Sequence, residues 1–308
     1  MQSKCENVKS VIDLGTNTCL LLVASVNNKS LNVLLEAQKI PRIGKNLYRS
    51  GLISSESFNE AADIFREYIS MSNALNASEI HAFGTSALRD AFNGKDFIEF
   101  IKTNTGIEIK IISGIKEAQY AFEGALFDIG NPDDYSVLDI GGGSSELSFM
   151  CEEKITSFSF LLGSVRLKEM FFEHDNSRAN FDQAAEYIGK ILRDTDFKIT
   201  ENKKLAGVAG TITTLSAIKN KLTNFDAKII HKDIIAFDEV IQLFDLLARM
   251  TIEERMNLGS YMKGRGDIIL PGVLILREIM KYYNYKDITV SVKGLRYGLM
   301  LNLTDFKN

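Results

Sequence analysis

Asp139-Ile-Gly-Gly-Gly-Ser-Ser-Glu146 lies between two short apolar runs, Ser136-Val137-Leu138 before it and Leu147-Ser148-Phe149-Met150 after it. The pattern predicts strand, glycine turn, strand. Three consecutive glycines remove every Cβ, so the backbone N–H groups of Gly141, Gly142, Gly143 and Ser144 can approach an oxyanion and line a concave anion site. A carboxylate stands at each end, Asp139 at the strand exit and Glu146 at the start of the return strand. Carboxylates beside a phosphate cradle repel a bare phosphate, so the pattern makes physical sense with Mg²⁺ between them. Taken alone, the run would favour a Gly-rich hairpin with two solvated acids.

A second stretch of the same form weighs against that reading. Asp13-Leu-Gly-Thr-Asn-Thr18 follows Val8-Lys9-Ser10-Val11-Ile12 and precedes Cys19-Leu20-Leu21-Leu22-Val23. Again an apolar strand leads to an Asp, a glycine, hydroxyl residues and another apolar strand. Two such hairpins far apart in one chain imply a duplicated unit. Each half would offer an Asp and a phosphate-gripping turn, with Gly15, Thr16, Asn17 and Thr18 facing Gly141 to Ser145 across a cleft.

At 308 residues the chain suits two domains of ordinary size, with enough apolar sequence for a core in each. The 36 basic and 40 acidic residues give a net charge of −4, which argues against broad nucleic-acid binding. The three cysteines, Cys5, Cys19 and Cys151, have no metal or disulfide spacing, and the three histidines, His81, His174 and His231, are too scattered for a zinc site. Cys19–Val26 is too short for a membrane span, and no signal peptide stands out, so a cytoplasmic location is expected.

The rest of the chain alternates strands and helices. Strands are expected at Val8–Asp13, Thr18–Val26 and Leu31–Ile40, with Asn27-Asn28-Lys29-Ser30 as the second turn. A helix capped by Ser54 or Ser55 runs to about Ala74. After a strand at Glu79–Gly84, Thr85-Ser86-Ala87-Leu88-Arg89 places hydroxyls at a helix start with an Arg one turn in, a pattern suited to an anion. Ser113-Gly114 opens a helix whose first turn carries Glu117, where the helix dipole is expected to keep the carboxylate ionised. Asn131-Pro132-Asp133-Asp134 marks the boundary between domains at 1–130 and 131–308. In the second half, helices are expected from Leu162 and over Phe181–Phe197. After a strand at Lys204–Ala209, Gly210-Thr211-Ile212-Thr213-Thr214 opens a helix suited to phosphate. Thr251-Ile-Glu-Glu254 is a capping box; a helix at Asp267–Tyr283, a strand at Lys286–Val292 and a helix at Gly294–Leu303 follow. Taken singly, Arg42 and Arg166 read as surface residues.

Together these pieces resemble the exopolyphosphatase / guanosine pentaphosphate phosphatase family. The stretches that carry the resemblance are Asp13–Thr18, Thr85–Ala91, Ile112–Ala118, Asp139–Leu147, Leu162–Leu167, Gly207–Thr214 and Gly294–Gly298, in the family's order from end to end. The resemblance implies an α/β fold of two actin-like (ribonuclease H-like) domains, mixed sheets flanked by helices, with the active site in the interdomain cleft. It also implies that the final helix leans back on the first domain. It implies Mg²⁺-dependent hydrolysis of terminal phosphoanhydride bonds, in inorganic polyphosphate or guanosine pentaphosphate. Asp13, Asp139 and Glu146 would hold Mg²⁺. Gly15 to Thr18, Arg42, Gly141 to Ser145, Gly210 and Thr211 would hold phosphate. Arg89 would stabilise the transferring phosphoryl, with Glu117 or Glu146 as the general base. No nucleic-acid or membrane partner is implied; a homodimer is the oligomer common among relatives. The chain departs from the family in Glu117-Ala118-Gln119, where Glu-Ala-Arg is usual, and in Arg296-Tyr297-Gly298, where Arg-Glu-Gly is usual. The longer relatives' C-terminal helical domain has no counterpart in these residues, so short chains or a nucleotide are the expected preference. Two other functions share the scaffold. A small-molecule kinase would need an acceptor pocket, for which no distinct motif stands out. A nucleotide-switch protein of the filament type would carry long insertions, and none stands out.

Overall fold

The computed structural model describes residues 7–27, 30–172, 178–199 and 203–303. Cys5, His174 and the Asn28-Lys29 pair of the second turn lie outside the described residues.

Two mixed sheets carry the molecule. The first contains β1 (Asn7–Leu14), β2 (Cys19–Asn27), β3 (Ser30–Lys39), β4 (Glu79–Gly84) and β5 (Ile109–Ile111) in the order β3-β2-β1-β4-β5. The second contains β6 (Tyr135–Ile140), β7 (Ser145–Cys151), β8 (Lys154–Phe160), β9 (Lys204–Val208), β10 (Ile234–Ala236) and β11 (Asp287–Val290) in the order β10-β11-β9-β6-β7-β8. Apart from the extra edge strand β10, the two orders are the same: an antiparallel meander whose first strand continues into parallel neighbours. The registers repeat as well. Asp13 pairs with Leu20 and Leu14 with Cys19; Asp139 pairs with Glu146 and Ile140 with Ser145. The two hairpins are thus the same length and place their Asp residues at equivalent positions, as expected for a duplicated unit.

Alternation and burial explain why these runs are strands. Ile12, Leu21 and Val23 face one side of the first sheet, where they meet Phe65 and Tyr68 of the helix Ser55–Ala74 and Phe97 of the helix Gly94–Thr105. Leu138, Ile140, Leu147 and Phe160 do the same for the second sheet against Leu270, Val273, Leu274 and Ile188. Both sets are essentially fully buried, which makes hydrophobic burial the main stabilising term in each lobe.

Packing between the lobes does not follow chain order. The helix Gly114–Ala125 puts Ala121, Phe122 and Ala125 on Val137, Ala206 and Val208 of the second sheet. The helix Leu295–Leu303 puts Leu295, Leu299 and Met300 on Val11, Leu22 and Ala24 of the first sheet. Each half therefore lends a helix to the other, and the two helices pack closely. An ideal Cβ on Gly298 would lie 1.8 Å from the Tyr120 carbonyl oxygen, and one on Gly124 would lie 2.1 Å from that of Gly294.

The helix read at Phe181–Phe197 runs instead over Arg178–Asp194. The helix read as opening at Gly210 begins one residue earlier, at Ala209, which takes a left-handed φ of 69°. Ala227–Ile230, β10 and Phe237–Ala248 fill a span that carried no assignment. The last of these helices lacks a side-chain N-cap: Ala236 stands there, and only the returning Glu239 carboxylate binds its N–H, at 2.8 Å. Among the described residues no helix is long and apolar enough to cross a membrane.

Candidate active site

The two Asp–Gly hairpins close on themselves in the same way. The Gly15 N–H donates to the Thr18 carbonyl at 2.8 Å, and the Gly141 N–H donates to the Ser144 carbonyl at 3.0 Å. These two N–H groups are therefore committed within their turns and do not grip phosphate, a correction to the role read for Gly15 and Gly141 as donors. Among the described residues the N–H groups of Asn17, Gly142, Gly143 and Ser144 have no backbone acceptor. The carbonyls of Thr16 and Asn17 accept from Gly44 and Arg42 at 2.9 and 3.2 Å. In the second lobe the Gly141 and Gly142 carbonyls accept from Ser164 and Val165 at 3.0 and 2.8 Å, and Arg166 Nε donates to the Gly143 carbonyl at 2.8 Å. In a trans peptide the C=O and the following N–H point opposite ways. With their carbonyls held by the flanking loops, the N–H groups of Asn17, Gly142, Gly143 and Ser144 turn toward the cleft.

Contact, not backbone freedom, explains the glycines. A Cβ on Gly142 would lie 2.8 Å from Thr16 Cβ of the opposite lobe, and one on Gly143 would lie 2.0 Å from Tyr48 Oη and 2.4 Å from Ser86 Oγ. The two turns touch because these positions have no side chain.

Between them lies a cleft of about 570 Å³. Asp13, Gly15, Thr16, Asn17, Thr18, Glu117, Asp139, Gly141, Gly142, Gly143, Ser144, Gly210 and Thr211 all line it. The Gly210 and Thr211 N–H groups belong to the first turn of the helix Ala209–Lys219, which has no side-chain cap, so they remain open to an anion.

Four predicted residues stand back from this lining. Ser145 is fully buried and its hydroxyl donates to the Leu162 carbonyl at 2.6 Å, away from the cleft. Arg42 pairs with Asp267 of the second lobe. Glu146 is 1% exposed and accepts from Ser159 Oγ at 2.6 Å. Arg89 donates to the Ile112 carbonyl at 2.8 Å and to Glu117 Oε2 at 2.7 Å, with Ser144 Oγ 3.5 Å away. Of the two candidate bases, only Glu117 reaches the cleft. Arg166 is not the isolated surface residue that its sequence context implied. It bonds to Asp90 at 2.6 Å and stacks on the Tyr48 ring at 3.9 Å.

The electrostatics of the carboxylates follow from burial. Desolvation, then the Glu117 charge, raises Asp13 to a pKa of about 7, with Arg296 pulling the other way. Desolvation, then Glu117 and Asp13, raises Asp139 to about 8. Glu146 is raised well above the ordinary carboxylate range, by burial and then by Glu117 and Asp139. For Glu117 itself burial outweighs the opposing Arg89 guanidinium, and the net shift is upward. This corrects the expectation that the helix dipole holds Glu117 low. Asp13 Oδ1 and Glu146 Oε2 are buried without a hydrogen-bond partner among the described residues.

Two cationic residues with no role in the sequence reading also line the cleft. Arg265 lies flat on Gly210, where a Cβ would meet its Nη1 at 1.5 Å, and it has no acidic partner among the described residues. Burial alone lowers its pKa to about 10. One Arg between Gly264 and Gly266 leaves no periodic signal to find. Arg296 bonds to Glu36 at 2.5 Å. The departures from the family pattern fall outside the lining: Tyr297 is buried in the cluster under the last helix, and Gln119, two residues after Glu117, does not line the cleft.

The model of the Ppx/GppA phosphatase family matches residues 22–306. The chain is 31% identical over 309 residues to a bifunctional 3-dehydroquinate synthase/phosphatase of Fusobacterium nucleatum, covering 96% of this chain but 46% of that protein. It is 27% identical over 313 residues to exopolyphosphatase 2 of Mycobacterium tuberculosis, covering 96% and 98% of the two chains. Among solved structures, a Ppx/GppA family member of Aquifex aeolicus is 25% identical, with a TM-score of 0.81 over 98% of each chain. With that family match taking in Glu117, the Asp139 turn and the helix Ala209–Lys219, the chain belongs to the Ppx/GppA phosphatase family, hydrolases of phosphoanhydrides.

Proposed function

We propose that the chain releases orthophosphate from the end of inorganic polyphosphate, using Mg²⁺. The observation that carries this reading is the pair of equivalent turns whose free N–H groups converge on a cleft holding Glu117. In-line transfer of a phosphoryl group to water needs neutralised phosphate oxygens and a positioned water more than covalent help. The N–H groups of Asn17, Gly142, Gly143 and Ser144 would hold the terminal phosphoryl. Arg265 and the start of the helix Ala209–Lys219 would hold the phosphates behind it. Glu117 would take the proton of the attacking water, its proton affinity raised by burial and its orientation set by Arg89. Arg89, so placed, would act through Glu117 and Ser144.

The carboxylates fit Mg²⁺. Asp13 Oδ1 and Glu146 Oε2 are buried without donors among the described residues, and burial, then repulsion from neighbouring carboxylates, raises each pKa. A cation relieves both penalties. Among the described residues no three acidic, histidine or cysteine side chains close into a cage. That suits an ion that keeps much of its water and takes one or two carboxylates plus phosphate oxygens. Asp13 and Asp139 would hold it, with Glu146 behind them. When bound, Mg²⁺ supplies charge that offsets the phosphate oxygens.

Guanosine pentaphosphate is the second reading, favoured by the apolar side chains of Phe225, Ala227 and Tyr261 that also line the cleft. The test is orthophosphate release from polyphosphates of defined length, from guanosine pentaphosphate and from ATP, with and without Mg²⁺. Release from polyphosphate that EDTA abolishes is expected. Turnover of the guanosine nucleotide alone would select the second reading. Phosphoryl transfer from ATP to an acceptor would select a kinase, and full activity in EDTA would overturn the metal assignment.

A further inference from the structure

Tyr48 lies on the short helix Leu47–Ser50, which follows the loop bonded to the Asp13 turn. Every part of Tyr48 is also engaged by the opposite lobe. Its N–H donates to Glu169 Oε2 at 3.0 Å, beside the Asn46 N–H on Glu169 Oε1 at 2.6 Å. Its ring lies 3.9 Å under the Arg166 guanidinium, whose Nε binds the Gly143 carbonyl. Its hydroxyl occupies the space that a side chain at Gly143 would fill, at 2.0 Å from the ideal Cβ position, with Ser86 Oγ 2.4 Å from the same point. That hydroxyl is buried and makes no hydrogen bond of good geometry, although the Ser86 and Thr16 hydroxyls are its polar neighbours.

We propose that Tyr48 is a positioning residue that sets the hydroxyl hydrogen of Thr16 or Ser86, a role that rests on the phosphate-binding reading of the cleft. Thr16 and Ser86 line the cleft; Tyr48 does not. A hydroxyl that accepts a hydrogen bond keeps its own hydrogen free to donate elsewhere. The Tyr48 Oη–H, given to Thr16 or Ser86, turns that residue's hydrogen toward a phosphate oxygen. In the absence of an anion Ser86 gives its hydrogen to Asp90 Oδ2 at 3.1 Å, a carboxylate already held by Arg166. An anion in the cleft supplies the better-placed acceptor and completes the chain Tyr48 to hydroxyl to phosphate. Because ring, amide and hydroxyl of Tyr48 all answer to the second lobe, this chain forms only when the two turns are in register.

The experiment is Tyr48→Phe, which keeps the ring under Arg166 and removes only the hydroxyl. Orthophosphate and tripolyphosphate binding are measured by calorimetry with Mg²⁺ present, beside kcat, KM and melting temperature. The expected result is affinity weakened about 3- to 10-fold and KM raised in parallel, the range for one neutral hydrogen bond. The melting temperature should stay level or rise, because a buried unpaired hydroxyl is gone. Affinity within twofold of the parent overturns the proposal, as does a loss that merely tracks a fall in melting temperature. The binding readout separates this inference from the functional one. A protein that hydrolyses nothing yet binds phosphate in a Tyr48-dependent way sinks the hydrolase reading alone. Hydrolysis with unchanged binding in the Phe variant sinks the Tyr48 role alone.

Discussion

At the scale of single residues, the cleft concentrates buried carboxylates that are costly in the absence of a cation. Glu117 is the one that reaches the reacting space. Glu117→Gln keeps its size and its bond to Arg89 but removes the base, so kcat should fall ~10²-fold or more with affinity unchanged or tighter. A variant with parental kcat would remove Glu117 from the base role. Asp13 and Asp139 make a separate prediction about pH. Their folded pKa values, about 7 and about 8, lie above the ordinary 3.8. The folded state thus holds protons that the unfolded chain has released. That contribution to stability is complete below the ordinary value and is lost as the pH rises through the folded values. In EDTA the midpoint of chemical denaturation should therefore fall between about pH 5 and pH 8, and Asp13→Asn with Asp139→Asn should flatten the slope. A midpoint that rises across this window would show that the pair is not protonated in the fold.

At the scale of elements, the site depends on two helices exchanged between the lobes. The helix Gly114–Ala125 carries Glu117, and its partner Leu295–Leu303 carries Arg296, whose charge acts on Asp13. They lie close enough that Gly298 faces the Tyr120 carbonyl with no room for a methyl group. Gly298→Ala must push the helices apart, at a cost of about 1–3 kcal/mol, and a lower melting temperature should report it. The shift also displaces Glu117, so kcat should fall more than stability alone explains. A variant with unchanged melting temperature and rate would show that the helices accommodate the methyl group without moving. The hairpin turns are the opposite kind of element, short and closed by their own hydrogen bonds, and their geometry is local.

At the scale of the whole molecule, the lobes meet through polar contacts around the cleft. Asn17 Nδ2 donates to the Gly264 carbonyl at 3.3 Å, Arg42 pairs with Asp267, and Arg166 bridges Gly143 and Asp90. A ligand that binds both turns stabilises both lobes by mass action, by about 2.7 kcal/mol at a hundredfold excess over Kd. Mg²⁺ with orthophosphate should therefore raise the melting temperature in one cooperative transition. Asp139→Asn should abolish that rise while leaving the ligand-free protein as stable as before or more so, since a buried acid becomes a neutral amide. An undiminished ligand shift in Asp139→Asn would remove Asp139 from the cation site.

Local chemistry made much of this legible from the residues alone. The strand–Asp–Gly turn–strand pattern, repeated at Asp13 and Asp139, specified two equivalent hairpins, because alternation and turn residues act over a few positions. The same local rules placed Glu117 in a first helical turn and Gly210 near a helix start. What needed the folded chain was everything set by distance in space. Gly15 and Gly141 spend their N–H groups inside the turn, which no composition reveals. Ser145 turns inward and Glu146 sits behind the lining because the pleat alternates, and only the packed sheet says which face is the cleft. Glu117 has a raised pKa because burial in the packed cleft outweighs the Arg89 guanidinium and a helix dipole that the sequence could see. Arg265 and Tyr48 had no local signature at all. Tyr48 reaches it from the short helix Leu47–Ser50 and Arg265 from the turn before the helix Ile269–Tyr282, and burial and neighbours, which are tertiary quantities, give them their chemistry.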